Sequence, residues 1–334
     1  MKFIDDKALD RLRATADWPD VSGTGYHLLG RIASGGMGVV YKAEDEALSR
    51  CVALKVLGAD VVGGESGERL AREARVLAQI EHPGIVPVHD VGTLPDGRMF
   101  YVMKYVVGDR LDTYTKRVTS LSDRLRIFLR ICDAMAFAHA RGFLHRDLKP
   151  DNIMVGPFGE VLVMDWGLAK AFDVEAQLDD KRSISSSAYN RPPTSTALLT
   201  SRITHDGEVM GTPGYMSPEQ ARGEIDCIDA RSDIYSLGAI LRFLSGAADF
   251  SSPRALNAII AKAMAESPAS RYVAVPELAA DVSLYLDGLP VSAHRENFVE
   301  KAARFYRRHQ IAILLLFAYL LMRTLFLLFP HPLP

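Results

Sequence analysis

Between positions 26 and 107 the chain alternates short β-branched or aromatic runs, at 39–40, 52–56, 85–88 and 100–107, with turn residues such as Pro95-Asp96-Gly97. That pattern predicts strands joined by tight turns. One helical pattern interrupts them over 67–80, with Leu70, Ala74, Leu77 and Ala78 on one face. After Leu121 the spacing becomes helical throughout, over 122–141, 233–244, 253–265 and 275–286. The chain therefore reads as α+β, a small β-rich lobe ahead of a larger helical one. Phe3, Ile4, Leu9 and Leu12 predict a short N-terminal helix within residues 1–25, ended by Pro19, Gly23 and Gly25. The stretch from Lys170 to Gly211 is rich in Ser, Thr and Asp, including Ser183, Ser185, Ser186 and Ser187, and reads as a mobile loop. There is no internal repeat.

The run 311–329 is apolar apart from Tyr319, Arg323 and Thr324. As a helix it would be roughly 28 Å long, close to the hydrocarbon thickness of a bilayer. Its Leu, Ile and Phe residues favour insertion by roughly 4 to 8 kcal/mol, against about 3 for a central Arg, and Arg323 stands near enough to the end to snorkel. Lys301, Arg304, Arg307 and Arg308 precede the run, which predicts a single-pass helix in the cytoplasmic membrane with the preceding chain in the cytoplasm. The alternative is a hydrophobic helix docked on protein. Residues 330–334 would form only a tail, with no extracellular sensor after it.

A length of 334 residues suits one large domain with appendages. The 39 Lys and Arg against 41 Asp and Glu give no electrostatic reason to expect nucleic acid as a partner. Cys51, Cys132 and Cys227 show neither CxxC spacing nor a secretory context, and are expected to be reduced, buried thiols.

Chemistry appears first at Ile32-Ala33-Ser34-Gly35-Gly36-Met37-Gly38-Val39-Val40. Bare backbone N–H groups can approach a phosphate only where side chains are missing, as at Gly35, Gly36 and Gly38. A glycine hairpin alone is more often a plain tight turn. Val52-Ala53-Leu54-Lys55 then places a lysine on the next strand, Glu73 sits on the following helix, and Met103-Lys104-Tyr105-Val106 closes the strand-rich part. His145-Arg146-Asp147-Leu148-Lys149-Pro150-Asp151-Asn152 follows, then Asp165-Trp166-Gly167. These stretches resemble the catalytic loop and metal-binding motif of protein kinases, with Trp where Phe is usual. The glycine-rich pattern is most similar to the bacterial Hanks-type (eukaryotic-like) Ser/Thr protein kinases.

The resemblance implies a bilobal fold over residues 26–290, with lobes 26–107 and 108–290 and an activation segment 165–219. It implies Ser/Thr-directed transfer of the γ-phosphoryl group of ATP with Mg²⁺ to protein substrates. Asp147 would orient the substrate hydroxyl, Lys149 would neutralise the transferring group, and Asn152 and Asp165 would hold Mg²⁺. Lys55, paired with Glu73, would fix the phosphates. The nucleotide would lie against Ile32, Ala33, Ser34, Gly35, Gly36, Met37, Gly38, Val40, Ala53, Met103, Lys104 and Val106. Lys149 with Gly211-Thr212-Pro213 marks Ser/Thr specificity in this family, Thr212 closing the site.

Glu219, in Ser217-Pro218-Glu219, would form a buried pair with Arg271 and pin the activation segment. Arg146 would receive an activation-loop phosphate, for which Thr204 is the first choice among many hydroxyls. A homodimer phosphorylating itself in trans is the implied self-partner. Val88, Leu77, His145 and Trp166 would stack as a packing spine anchored by Asp233. Two departures stand out. Ala33 replaces the first glycine of the loop, and Ser245-Gly246 is followed so soon by Pro253 that the usual peptide-docking stretch is nearly absent. A pseudokinase scaffold is the main rival, opposed by intact Lys55, Asp147, Asn152 and Asp165. A small-molecule phosphotransferase is the second, opposed by the pinned segment.

Overall fold

A computed structural model describes residues 18–35, 38–57, 80–166, 214–224, 227–246, 254–295 and 298–328, without the side chains of 298–300, 302–308 and 325–328. The expected helices over 1–25 and 67–80, with Leu77, lie largely or wholly outside the described residues. So do Glu73, Gly36, Met37, Gly167, Thr204, Thr212 and 247–253.

Strands β1 (Tyr26–Gly35), β2 (Gly38–Asp45), β3 (Arg50–Leu57), β4 (Val88–Thr93) and β5 (Met99–Lys104) form an antiparallel sheet in the order β1-β2-β3-β5-β4. Alternation sorts its residues. Leu54, Val56, Phe100 and Val102 pack with Leu28, Tyr41 and Ala43 in a core on one face. The expected strand at 85–88 is instead a buried connection. Ile85 makes a single parallel bridge to Val163, and pairing proper begins at Val88. Pro87 explains the shift: it has no N–H to give a ladder, and its carbonyl accepts from the Lys104 N–H at 3.1 Å.

The second lobe opens with β6 (Asp109–Arg110) and the short helix α1 (Leu111–Tyr114), followed by α2 (Leu121–Ala140). Ser120 caps α2, its side chain accepting from the Asp123 N–H. Next come β7 (Ile153–Val155) and β8 (Val161–Val163), which join β6 in a small sheet. Helices α3 (Pro218–Ala221), α4 (Ala230–Ser245), α5 (Arg254–Ala263) and α6 (Val275–Leu286) complete the lobe. Buried Phe128, Ile131 and Met135 of α2 share one core with Ile234, Leu237 and Leu241 of α4 and Leu278 and Val282 of α6. Gly238 lets α4 and α5 approach closely, since a Cβ there would meet the Ala263 Cβ at 2.8 Å.

The lobe ends later than 290. Val291 is buried in the core, and the Asp281 carboxylate accepts from the Ser292 N–H at 2.7 Å, the Ser292 hydroxyl at 2.8 Å, the Ala293 N–H at 3.1 Å and the Tyr272 hydroxyl at 2.8 Å. Burial opposes that charge, but the bonds from Ser292 and Tyr272 outweigh it and hold the carboxyl below the usual aspartate range.

Helix α7 (Phe298–Leu328) then runs for 31 residues, interrupted by non-helical torsions at His309. Ile311, Leu314, Leu315, Phe317 and Met322 on it are exposed. Among the described residues no helix is long and apolar enough to cross a membrane; the run 311–329 extends past Thr324, beyond which α7 is described in backbone alone. All three cysteines are free, but only Cys132 is buried. Cys51 stands next to the β2–β3 turn and Cys227 in a loop, both exposed, which corrects the expectation of three buried thiols.

Candidate active site between the lobes

Cross-strand register assembles the nucleotide side of the cleft. Val40 faces Lys55 across β2 and β3, Lys55 faces Tyr101 across β3 and β5, and Ala53 faces Met103. Opposed residues share a face, as do alternate ones. Val40, Ala53, Lys55, Tyr101 and Met103 therefore lie together, opposite the apolar core of the sheet. Ile32, Ala33 and Ser34 belong to the far end of β1, where the register shifts between Arg31 and Ala33; Ile32 is exposed.

Gly35 pairs with Gly38 at the base of the hairpin. Gly38 has a reason of its own to be glycine: φ is +133°, and a Cβ would stand 2.1 Å from the Val56 carbonyl oxygen. At the other end of the cleft, the Lys104 N–H is committed to Pro87, so what Lys104 can offer a base is its carbonyl. Val106 stands two residues on.

The candidate catalytic loop, 145–152, hangs from a buried carboxylate. Asp233, in the first turn of α4 and 1% exposed, accepts from the N–H groups of His145 at 2.9 Å and Arg146 at 2.8 Å, and from His139 Nε2 at 2.8 Å. Burial opposes the Asp233 charge, yet these donors hold its carboxyl below the usual range. They also hold Arg146 at φ +64°, a conformation a non-glycine residue keeps only when its surroundings fix it. His145 is fully buried, and burial pushes its imidazole below the ordinary value. In the neutral ring, Nε2–H donates to the Met164 carbonyl at 2.9 Å, leaving Nδ1 to accept from the Asp147 N–H at 3.4 Å.

Beyond it the expected residues converge. Lys149 Nζ is 3.0 Å from Asp147 Oδ2. Asn152 Nδ2 donates to the Asp147 carbonyl at 2.8 Å, which leaves its Oδ1 as the atom free to meet a cation. Asp165, at φ +58°, makes a salt bridge with Lys55. Burial works against the Lys55 charge, but Tyr101 and Asp165 outweigh it and hold the ammonium above the usual lysine range. Among the described residues no cluster of three or more His, Cys, Asp or Glu could hold a metal. The two oxygen donors of Asn152 and Asp165 suit Mg²⁺, which keeps waters and takes phosphate oxygens as its remaining ligands.

Trp166 continues this spine. Its ring lies 4.9 Å from that of His145, and its Nε1–H donates to the Val163 carbonyl at 3.2 Å, a bond no Phe could make.

The end of the activation segment is fastened twice. Arg271 donates through Nη1 to Glu219 Oε1 at 2.6 Å and through Nη2 to Oε2 at 2.8 Å. Its other bonds go to the carbonyls of Ala265, Arg231 and Glu266, so all five guanidinium N–H groups are used. Ser232 adds a hydroxyl to Glu219 at 2.7 Å. The second fastening is Gln220. Its Oε1 accepts from the Ser217 N–H at 3.1 Å, capping α3, while its Nε2 donates to the Arg146 carbonyl at 2.7 Å. Gln220 escaped the sequence reading, although Ser217-Pro218-Glu219-Gln220 has the spacing of a capping box. Tyr101 escaped it too, hidden in an apolar run.

Comparison with known proteins decides what this arrangement is. Residues 26–282 match the protein kinase domain. The chain belongs to that family. Among its relatives is Serine/threonine-protein kinase PknD of Chlamydia trachomatis serovar D, 35% identical over 79% of this chain and 32% of that protein. PknD of Chlamydia abortus is 32% identical over 86% of this chain and 34% of its own length. The chain thus spans about a third of the length of these curated relatives. The crystal structure of the Mycobacterium tuberculosis PknI kinase domain superposes with a TM-score of 0.56 at 24% identity, covering 80% of this chain and 98% of that one. That likeness shows the bilobal fold of this kinase domain.

The pinning pair of this kinase domain carries a pH dependence. Burial pushes the Glu219 carboxyl up, but the bonds from Arg271 and Ser232 outweigh it and bring it down to about 2 from an ordinary 4.5. A carboxyl depressed by folding stabilises above its unfolded value and loses that contribution as pH falls toward its folded one. Urea unfolding followed by Trp fluorescence should therefore show wild-type stability draining between about pH 4.5 and about pH 2. Glu219→Ala should cost about 3–5 kcal/mol at neutral pH by leaving Arg271 buried and unpaired. It should also flatten that acid limb; equal acid limbs in the two proteins would contradict the assignment.

Proposed function

We propose that this chain is an ATP- and Mg²⁺-dependent protein kinase that phosphorylates Ser and Thr hydroxyls of protein substrates. The observation that carries this is the convergence of Asp147, Lys149 and Asn152 from one lobe on Lys55 and Asp165 at the cleft. Asp147 orients the acceptor hydroxyl and takes up its proton. Lys149, 3.0 Å from that carboxylate, neutralises charge on the phosphoryl group in transfer. Lys55 clamps the nucleotide phosphates, and the Lys104 carbonyl and Val106 N–H read the edge of the base. Asn152 and Asp165 would hold Mg²⁺, which would offset the phosphate charge. Positioning and electrostatics supply the rate, since little covalent chemistry falls to the protein.

The pinned Glu219–Arg271 end of the segment supports a peptide rather than a small-molecule acceptor. Its preference for Ser and Thr rests on Lys149 and on Thr212. Regulation follows from Arg146, whose backbone is clamped between Asp233 and Gln220. A phosphate on Thr204, placed in trans by a second copy, would order the loop by pairing with that guanidinium. The chain is anchored in the cytoplasmic membrane through 311–329, a reading supported by the exposed apolar side chains of α7 and the basic residues before it.

Asp147→Asn and Lys55→Met should each abolish autophosphorylation with radiolabelled ATP and Mg²⁺ while the circular dichroism spectrum stays that of the wild type. Either mutant labelling itself normally would sink the mechanism. Mass spectrometry of the expressed protein should find phosphate between Ser183 and Thr212, and Thr204→Ala should lower activity on an added protein substrate; undiminished activity after phosphatase treatment would contradict the regulatory role. The full chain should remain in the membrane pellet through alkaline carbonate and need detergent for release, while a chain ending at Ala293 should be soluble and active. Recovery of the full chain in the carbonate supernatant would overturn the anchor and leave the kinase assignment standing.

A further inference from the structure

Lys55 is the most deeply placed cation of the site, and its described carboxylate partner, Asp165, is also the residue that Mg²⁺ would claim. A carboxylate shared in that way holds a lysine only until the metal arrives. Beside the expected Glu73, a group that the metal does not recruit would keep Lys55 aimed at the cleft.

Tyr101 stands where such a group is needed. It is the residue directly opposite Lys55 in the β3–β5 register, on the cleft face of the sheet, 4% exposed. The Lys55 ammonium lies 5.8 Å from the centre of its ring, within cation–π range. Its neighbours on that face, Val88, Val91, Met99 and Met103, are apolar and pack against it. An apolar side chain would satisfy the packing, so the hydroxyl calls for a separate explanation. Burial pushes the phenol up to about 12, so it remains a neutral dipole and does not compete with phosphate as an anion. The contact is built into strand pairing and does not depend on the segment 165–219.

We infer that Tyr101 is a positioning residue for the nucleotide clamp: across the β3–β5 pair, its ring and hydroxyl hold the Lys55 ammonium toward the phosphates when Asp165 turns to the metal. This rests on the kinase reading of Lys55. It adds a third support for that lysine beside Glu73 and Asp165.

Phosphate and base recognition can be separated, because Lys55 can touch only the phosphates. Equilibrium binding of ADP and of adenosine, each with and without Mg²⁺, should be measured for the wild type, Tyr101→Phe, Tyr101→Leu and Lys55→Met, beside their melting temperatures. Tyr101→Phe removes one hydroxyl and keeps the ring, so it should fold. It should weaken ADP by about threefold to tenfold, the size of one ordinary hydrogen bond, more with Mg²⁺ than without, and leave adenosine unchanged. Tyr101→Leu, lacking the ring as well, should weaken ADP further, again sparing adenosine. In turnover the loss should appear in KM for ATP rather than in kcat. Equal weakening of adenosine and ADP would mean that Tyr101 only packs the sheet, and unchanged ADP affinity in both Tyr101 variants would likewise overturn the inference. Should Lys55→Met itself leave ADP affinity intact, the clamp assignment fails first, and Tyr101 falls with it.

Discussion

The carboxylate of Asp233 is the fixed point from which the candidate catalytic loop, 145–152, is suspended. An ionised group this deeply buried is tolerable only if donors surround it, and the donors available are the N–H groups of His145 and Arg146 together with His139. Satisfying Asp233 therefore dictates the path of the catalytic loop. His145, fixed in that way, reaches the Met164 carbonyl and packs at a tilt against Trp166, which sets the approach to Asp165. Arg146, turned into a left-handed conformation by the same bonds, presents its carbonyl to Gln220. The loop that carries Asp147, the segment that carries Asp165 and the helix that ends the activation segment thus depend on one desolvated charge.

Much of this was legible in the sequence, for physical reasons that differ from part to part. The helix over 275–286 was read to the residue because its apolar positions recur at helical spacing and face one core. The helices at 122–141 and 233–244 were misplaced by one residue to a few, since caps such as Ser120 are polar residues outside the apolar pattern. Asp147, Lys149, Asn152, Lys55 and Asp165 could be singled out as candidates because chemistry restricts their types and spacing. Thr204, Thr212 and Glu73 lie outside the described residues and stay as the sequence left them.

The misses also have causes. A run such as Ile85-Val86-Pro87-Val88 is equally apolar whether it is a strand or a buried connection, and only the missing proline N–H tells them apart. Cysteine count says nothing about which strand end a thiol occupies, hence the exposed Cys51 and Cys227. Tyr101 was invisible because an aromatic residue in an apolar strand reads as packing. Its significance is set by register, and register depends on which strands pair.

Arg271 and Tyr272 are consecutive residues whose side chains grip two different parts of the lobe. Arg271 grips Glu219 at the end of the activation segment, while Tyr272 grips Asp281, which in turn holds Ser292 and Ala293 where the chain leaves for α7. In mechanical terms the two buried clamps are coupled in series. A load applied at Ser292 passes through Asp281, Tyr272 and Arg271 to Glu219 along buried side chains and a single peptide link, with no slack loop to absorb it. The exit toward α7 and the Glu219 end of the activation segment are thus tied together by two buried clamps one peptide apart.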